Sequence, residues 1–165
     1  MISLFEIRDS GISGKGAFAT RKIFKGDRIC FMKGEIVSEE EIDRRMADGS
    51  EVQGDPFQIG EHKFIDLDEE FRSINHSCDP NAFIRGVNEL VACKNIEEDE
   101  EITYDYSCIM WEDSDEEDWD CTCQCKSDKC RGKITQFYNL PEDVKKRYIE
   151  NKQIPDFIIK KLTKK

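Results

Sequence analysis

Arg72-Ser73-Ile74-Asn75-His76-Ser77-Cys78 and, further along, Glu101-Ile102-Thr103-Tyr104-Asp105-Tyr106 are the two stretches on which the reading of this sequence turns. The first sets an amide, an imidazole, a hydroxyl and a thiol side by side; the second sets two tyrosines around a carboxylate. Taken singly, each tyrosine reads as a strand aromatic packed on a core. An amide such as that of Asn75 can both donate and accept, which suits it to hold a polar ligand.

Around these stretches the chain is built of short β-prone runs bounded by turn residues: Leu4 to Arg8, Ala17 to Thr20, Arg28 to Met32, Glu35 to Val37, Phe57 to Ile59 and Lys63 to Ile65. The fold is therefore expected to be mainly β with short helices. Hairpins are expected at Gly60-Glu61, where glycine would take the positive φ of a II′ turn, and around Gly86 to Glu89. Ser38 to Asp48 reads as a helix, with Ser38 and Glu41 spaced as a capping box, Gly49 ending it, and Ile42 and Met46 as its buried stripe.

After Tyr106 the pattern changes. A core of 1–107, with a short helical insert over 38–56, is followed by an acidic linker over 108–120, a cysteine knot over 121–133 and a basic helical tail over 134–165. In the tail Pro141, Glu142 and Asp143 suit a first helical turn, and Leu140, Val144 and Tyr148 fall on one face.

Length and composition bound the function. A chain of 165 residues can bury a modest single core, and 38% hydrophobic against 37% charged residues is enough to fold rather than stay disordered. The net charge is -11, with five consecutive acids at Glu97 to Glu101 and seven in the nine residues from Glu112 to Asp120. Such a field repels phosphate backbones and attracts basic polypeptides, so a basic protein is the expected partner and no direct nucleic-acid binding is expected. The same acids also suit a plain solvated surface. No basic stretch precedes a long apolar run at Met1, and no 18 consecutive apolar residues occur, so neither secretion nor membrane insertion is expected. An intracellular setting follows, cytoplasmic or, in a eukaryote, nuclear and chromatin-associated.

In a reducing compartment eight cysteines point to metal rather than to disulfides. Cys121-Thr122-Cys123-Gln124-Cys125-Lys126-Ser127-Asp128-Lys129-Cys130 crowds four sulfurs into ten residues. Cys123, Cys125 and Cys130 form a C-x-C-x4-C array that supplies three ligands to a tetrahedral ion such as Zn2+; Cys78 is the candidate fourth, and Cys121 could replace Cys123 in another register. Four thiolates leave no open position, so such a site is structural. Cys30 and Cys93 read as core residues, and Cys108 has no evident role.

Four segments in order resemble the SET-domain family of protein lysine methyltransferases: Gly14-Lys15-Gly16, Arg72 to Cys78, Glu101 to Tyr106, and the array ending Cys130-Arg131-Gly132. Gly14-Lys15-Gly16 alone would be a plain turn; its company makes it specific. The resemblance implies small curved β-sheets of the β-clip kind, a pseudoknot threading the Asn75 segment beneath the Tyr104 to Tyr106 segment, and a post-SET zinc knot. It implies S-adenosylmethionine as cosubstrate, held around Lys15, Gly16, Ala17, Asn75, His76 and Tyr106. His76 then serves binding and packing rather than general-base catalysis. Tyr106 matches the tyrosine at the methyl-transfer point, and Tyr104 the position that influences how many methyl groups are added.

Met32-Lys33-Gly34-Glu35 lacks an aromatic that many relatives carry before Gly-Glu, a departure that bears on the number of methyl groups added; the unusually acidic linker and the short insert between Ser38 and Pro56 bear on substrate selection. Two rival classes compete with a lysine methyltransferase: a non-catalytic SET module that binds basic peptides, and a cysteine-based metal store or redox protein.

Overall fold

The computed structural model describes residues 3–50, 56–111 and 121–164. Most of the acidic linker, Glu112 to Asp120, and positions 51–55 of the insert lie outside the described residues. In chain order the elements are β1 (Phe5–Asp9), β2 (Lys15–Ala19), β3 (Arg28–Phe31), β4 (Gly34–Ser38), α1 (Glu39–Asp48), β5 (Phe57–Gly60), β6 (Lys63–Leu67), the single turn α2 (Glu69–Arg72), β7 (Ala82–Arg85), β8 (Glu89–Ala92) and β9 (Glu101–Ile102). A 3-10 turn over Tyr106–Ile109 follows, then β10 (Cys121–Thr122), β11 (Lys133–Ile134), a second 3-10 turn over Phe137–Asn139, α3 (Glu142–Glu150) and α4 (Asp156–Thr163).

Strands this short cannot build one wide sheet. They form three small antiparallel sheets, in the orders β1-β2-β9, β3-β8-β7 and β4-β6-β5, and β10 pairs with β11. Alternation is seen in β6, where Ile65 and Leu67 face inward, whereas β8 buries Leu90, Val91 and Ala92 in a row. Ile23, Met32, Phe57, Ile74, Leu90, Ile96 and Ile102 meet in one wholly buried core. The expected mainly-β class is what the chain adopts. Met32, at the departure from the family pattern, is thus a core residue.

The second hairpin turns at Gly86, whose φ of 63° lies in the left-handed region, and Arg85 pairs with Glu89. The first differs from expectation. Gly60 pairs directly with Lys63, the turn is Glu61-His62, and Gly60 is not among the positive-φ residues; it sits at a shift of register between Gln58 and Gly60. It stands beside a bulge rather than at a II′ corner.

In α1 the Ser38 hydroxyl accepts from the Glu41 amide and Gly49 closes the helix at φ 77°. Only half of the capping box forms, because the Glu41 carboxylate binds Arg44 and Arg45 instead. Charge-assisted bonds to guanidinium outcompete a return bond to a neutral amide. Ile42 is buried but Met46 is exposed. The stripe is completed by Arg45, which reaches Glu35 of β4 and Asp66 of β6 and fastens the helix to that sheet.

Gly34 starts β4 opposite Leu67. A Cβ at residue 34 would overlap the backbone carbonyl of Asp66, which cannot swing aside within a paired strand. Gly34→Ala is expected to destabilise the chain by about 2–3 kcal/mol, read as a lower urea midpoint with an unchanged slope.

The tail builds a second core. Leu140, Tyr148, Ile154, Phe157 and Ile158 bury Cys108, Trp111 and Phe137, with Val144 and Leu162 packed at its margin. Leu140, Val144 and Tyr148 share a face as their spacing requires, but Pro141 sits just before α3 rather than in its first turn, and Pro155 opens a separate helix. Cys108, which has no role legible in the sequence, is a buried member of this second core. Cys30 and Cys93 are half-buried rather than fully internal, with the Cys93 thiol donating to the Pro80 carbonyl.

Candidate active site and metal centre

The two diagnostic stretches lie side by side. A parallel bridge joins His76 to Tyr104; the Tyr104 amide donates to the Asn75 carbonyl at 3.2 Å and the Ser77 amide to the Tyr104 carbonyl at 3.1 Å. Residues far apart in sequence are thereby locked in register, as the crossing of a pseudoknot requires.

Asn75 ties in a third stretch. Its amide nitrogen lies 3.1 Å from the Ser13 carbonyl, 2.8 Å from the Lys15 carbonyl and 2.8 Å from Glu101 Oε1. The Ser10 hydroxyl donates to the same carboxylate at 2.7 Å. Gly16 is required here, because a Cβ would strike Glu101 Oε1. Glu101 is therefore no mere member of an acidic surface run: it is the acceptor that joins the glycine turn to Asn75. Lys15 itself is exposed, with its ammonium on Asp9, while Ala17 is wholly buried between Ile7 and Ile102.

Tyr106 is held at both ends. Its amide donates to His76 Nδ1 at 3.1 Å and its hydroxyl to the Ile74 carbonyl at 2.8 Å. Its ring lies 5.4 Å from that of His76 and 5.0 Å from that of Tyr104. A phenol has one proton; with it committed to Ile74, the oxygen acts toward anything else as an acceptor. Tyr104 is buried in the main core and Tyr106 only partly so.

The same bond fixes the state of His76. A backbone amide can only donate, so Nδ1 carries the lone pair and Nε2 the proton, aimed at Cys78 Sγ 3.3 Å away. Burial holds the ring pKa down to about 4, so it is neutral at ordinary pH.

Around Cys78 the sulfurs converge. Among the described residues, the ligand atoms of His76, Cys78, Cys123 and Cys125 lie within 4.8 Å of one another, and Cys78 and Cys123 are 3.7 Å apart. Cys130 is in hydrogen-bonding reach of Cys123 and Cys125. Tetrahedral bonds of about 2.3 Å separate sulfurs by about 3.8 Å, which the 3.7 Å between Cys78 and Cys123 matches. Protonated at Nε2, His76 faces Cys78 as a donor. Backbone amides also turn toward the sulfurs: Arg131 to Cys78 at 3.4 Å, Gly132 to Cys130 at 3.4 Å and Cys125 to Cys123 at 3.5 Å. Burial would raise the Cys125 thiol, but the amides of Cys78 and Ser127 overrule it and bring the pKa to about 7. The cluster can hold a metal ion. The backbone of Cys121 pairs with Ile134 in the β10–β11 ladder.

Sequence reasoning passed over Asp105. It is buried, and its carboxylate accepts from the Ser107 amide at 3.0 Å, Arg131 Nη2 at 2.8 Å and the Tyr148 hydroxyl at 2.6 Å. Burial pushes its pKa up; the nearby His76 ring and the Arg131 guanidinium offset this and hold it below the usual carboxylate value. Since His76 is neutral at ordinary pH, Arg131 is the charge that counts. The available signal was a carboxylate between two core aromatics, which needs buried donors.

Small antiparallel sheets, a 75–77 segment paired in parallel with the 104–106 segment, and an adjoining sulfur cluster match the SET architecture. The chain belongs to that family: the family model described as "SET domain" matches residues 14–107. It is 33% identical over 135 residues to histone-lysine N-methyltransferase ash1 of Drosophila melanogaster, which covers 73% of this chain and 6% of that protein. It is 34% identical over 139 residues to the histone-lysine N-methyltransferase, H3 lysine-4 specific, of Aspergillus oryzae, covering 74% of this chain and 11% of that protein. With mes-4, a histone-lysine N-methyltransferase of Caenorhabditis elegans, the figures are 30% over 143 residues, 72% and 15%. The chain thus spans only a small part of these relatives. Among solved structures, KRYPTONITE in complex with mCHG DNA and SAH superposes with a TM-score of 0.59 at 26% identity, over 79% of this chain and 28% of that one. Among the described residues, no helix is long and apolar enough to cross a membrane.

Proposed function

We propose that the chain transfers a methyl group from S-adenosylmethionine to the side-chain amine of lysine in a basic protein, histone or histone-like. The observation that carries this reading is the seat of Tyr106, fixed by Ile74 and His76 beside Tyr104, in a chain whose family relatives are named histone-lysine N-methyltransferases. S-adenosylmethionine supplies an activated methyl on a sulfonium. Lys15, Gly16, Ala17, Asn75, His76 and Tyr106 are the residues assigned to hold it, and the bonds from Asn75 to the Ser13 and Lys15 carbonyls make the glycine turn and residue 75 one unit.

A lysine amine with a pKa of about 10.4 is mostly protonated at neutral pH and must lose that proton before it can attack. Apolar walls such as the Tyr104 and Tyr106 rings favour the neutral form by desolvation. The Tyr106 oxygen, an acceptor once its proton is on Ile74, orients an amine N–H or a polarised methyl C–H, a weak but directional contact. Cys78, Cys123, Cys125 and Cys130 are assigned to a structural zinc ion, with His76 donating to Cys78. The domain limits 1–107, 121–133 and 134–165 are retained as the working division. With net charge -11 the substrate is a Lys/Arg-rich segment, and a histone substrate places the work at chromatin.

The test is incubation with isotopically labelled S-adenosylmethionine and purified histones, with labelled lysines mapped by mass spectrometry. Wild type is expected to label lysine, and Tyr106→Phe to lower the rate about tenfold or more at unchanged peptide affinity. Peptide binding without any methyl transfer would leave the non-catalytic module as the reading.

A further inference from the structure

The tail lies beyond the matched SET segment of residues 14–107, yet it reaches the centre of the site. We propose that Tyr148, in α3 of the tail, is a positioning residue for Tyr106, acting through the buried carboxylate of Asp105. Only the kinetic arm of this proposal rests on the methyltransferase reading.

Asp105 precedes Tyr106 and caps its turn: Oδ1 accepts from the Ser107 amide, so the carboxylate sets the backbone direction at which Tyr106 leaves the strand. The other oxygen, Oδ2, accepts from the Tyr148 hydroxyl at 2.6 Å. That is a short charge-assisted bond to a buried carboxylate, whose loss leaves Oδ2 short of a donor. Packing acts in the same sense. The turn over Tyr106–Ile109 is shared between two cores, with Ile109 in the main one and Cys108 in the one built by the tail. The tail is thus one of the two walls that seat this turn.

Without the Tyr148 hydroxyl, Oδ2 loses its donor, and the carboxylate rotates about its side chain toward another. That rotation pulls on the Ser107 bond and moves the backbone of Tyr106 against fixed partners at Ile74 and His76. Methyl transfer needs donor, methyl and acceptor in line, so a displacement well under 1 Å suffices to slow it.

The experiment is Tyr148→Phe in the full chain, which keeps the ring and removes the oxygen. The kcat is expected to fall about tenfold while KM for peptide and for S-adenosylmethionine stays within about twofold. Leu162→Ala, which loosens the margin of the second core without touching Asp105, serves as comparison and is expected to lower thermal stability with little change in kcat. An equal fall of kcat in both variants, or an unchanged kcat in Tyr148→Phe, overturns the proposal. A second readout needs no turnover. With 3-fluorotyrosine incorporated, the 19F line of Tyr106, assigned by its loss in Tyr106→Phe, is expected to shift in Tyr148→Phe and to stay in place in Leu162→Ala; an unshifted line in Tyr148→Phe overturns the proposal. Should wild type transfer no methyl group, the functional reading falls and the fluorine measurement still decides this one. Should Tyr148→Phe not fold, it is combined with Asp105→Asn and measured against Asp105→Asn alone: with the carboxylate gone, Tyr148→Phe is expected to add no further fall in kcat and no further 19F shift, and a further fall or shift overturns the proposal.

Discussion

Arg131→Ala is expected to destabilise the chain by about 3–5 kcal/mol, read by urea unfolding, because it strands a buried carboxylate. Asp105 is 2% exposed, and Arg131 Nη2 is the cationic donor on its Oδ1; the same nitrogen lies 3.2 Å from the Ser107 hydroxyl. The Tyr148 hydroxyl and Ser107 amide that remain are neutral dipoles and cannot compensate a full charge in an apolar surround. Arg131 is not an ideal partner: its Nε and Nη1 are buried without hydrogen-bond acceptors among the described residues. The loss on mutation therefore measures the stranded charge rather than the net worth of the pair. The double variant Arg131→Ala with Asp105→Ala is expected to be less destabilised than the sum of the two single variants, since removing both ends leaves no uncompensated charge. Additive losses would show that the two side chains act independently.

Local chemistry explains which parts of this architecture are legible in the sequence. Ser38, Gly49 and Gly86 announce their elements because capping and positive φ are satisfied within a few residues. Gly60 misleads because the same residue type serves a corner and a bulge, and only the register of β5 against β6 decides between them. Met46 misleads because helical period cannot tell that Arg45 will take the inward position through Glu35 and Asp66, which lie on other strands. At the site, Asn75, His76, Tyr104 and Tyr106 stand out by their motif, and the structure brings them together. Glu101, Asp105 and Tyr148 do not stand out. Their work is done across 26, 26 and 43 residues of chain, toward Asn75, Arg131 and back to Asp105. Charge composition makes this worse: Glu101 ends a run of acids in which Glu97 and Asp99 pair with the surface cations Lys22 and Arg8. One inward carboxylate in such a run is invisible until its partners are placed.

Metal removal should have the largest effect of all. The purified chain is expected to carry about one zinc, and chelation is expected to unfold the knot between β10 and β11 and abolish transfer activity, structural zinc being worth on the order of 10 kcal/mol. Among the described residues the ladder there joins Cys121 to Ile134 and Thr122 to Lys133, too little to hold unaided. Between them Cys123, Cys125 and Cys130 turn back toward Cys78, which belongs to the stretch that also carries Asn75 and His76. Loss of the knot would release Arg131 from Asp105, and with it one of the two supports of the Tyr106 turn, so activity should fall with the metal rather than after it. The ligand set can be tested by exchange of single sulfurs: Cys78→Ser is expected to lose zinc, and Cys121→Ser to retain it, each read as metal per chain by elemental analysis. A chelated chain that keeps its melting temperature, or a Cys121→Ser variant that loses metal while Cys123→Ser keeps it, would refute the assignment. In the second case the register of the array shifts by one cysteine, and Cys123 becomes a reduced thiol beside the site.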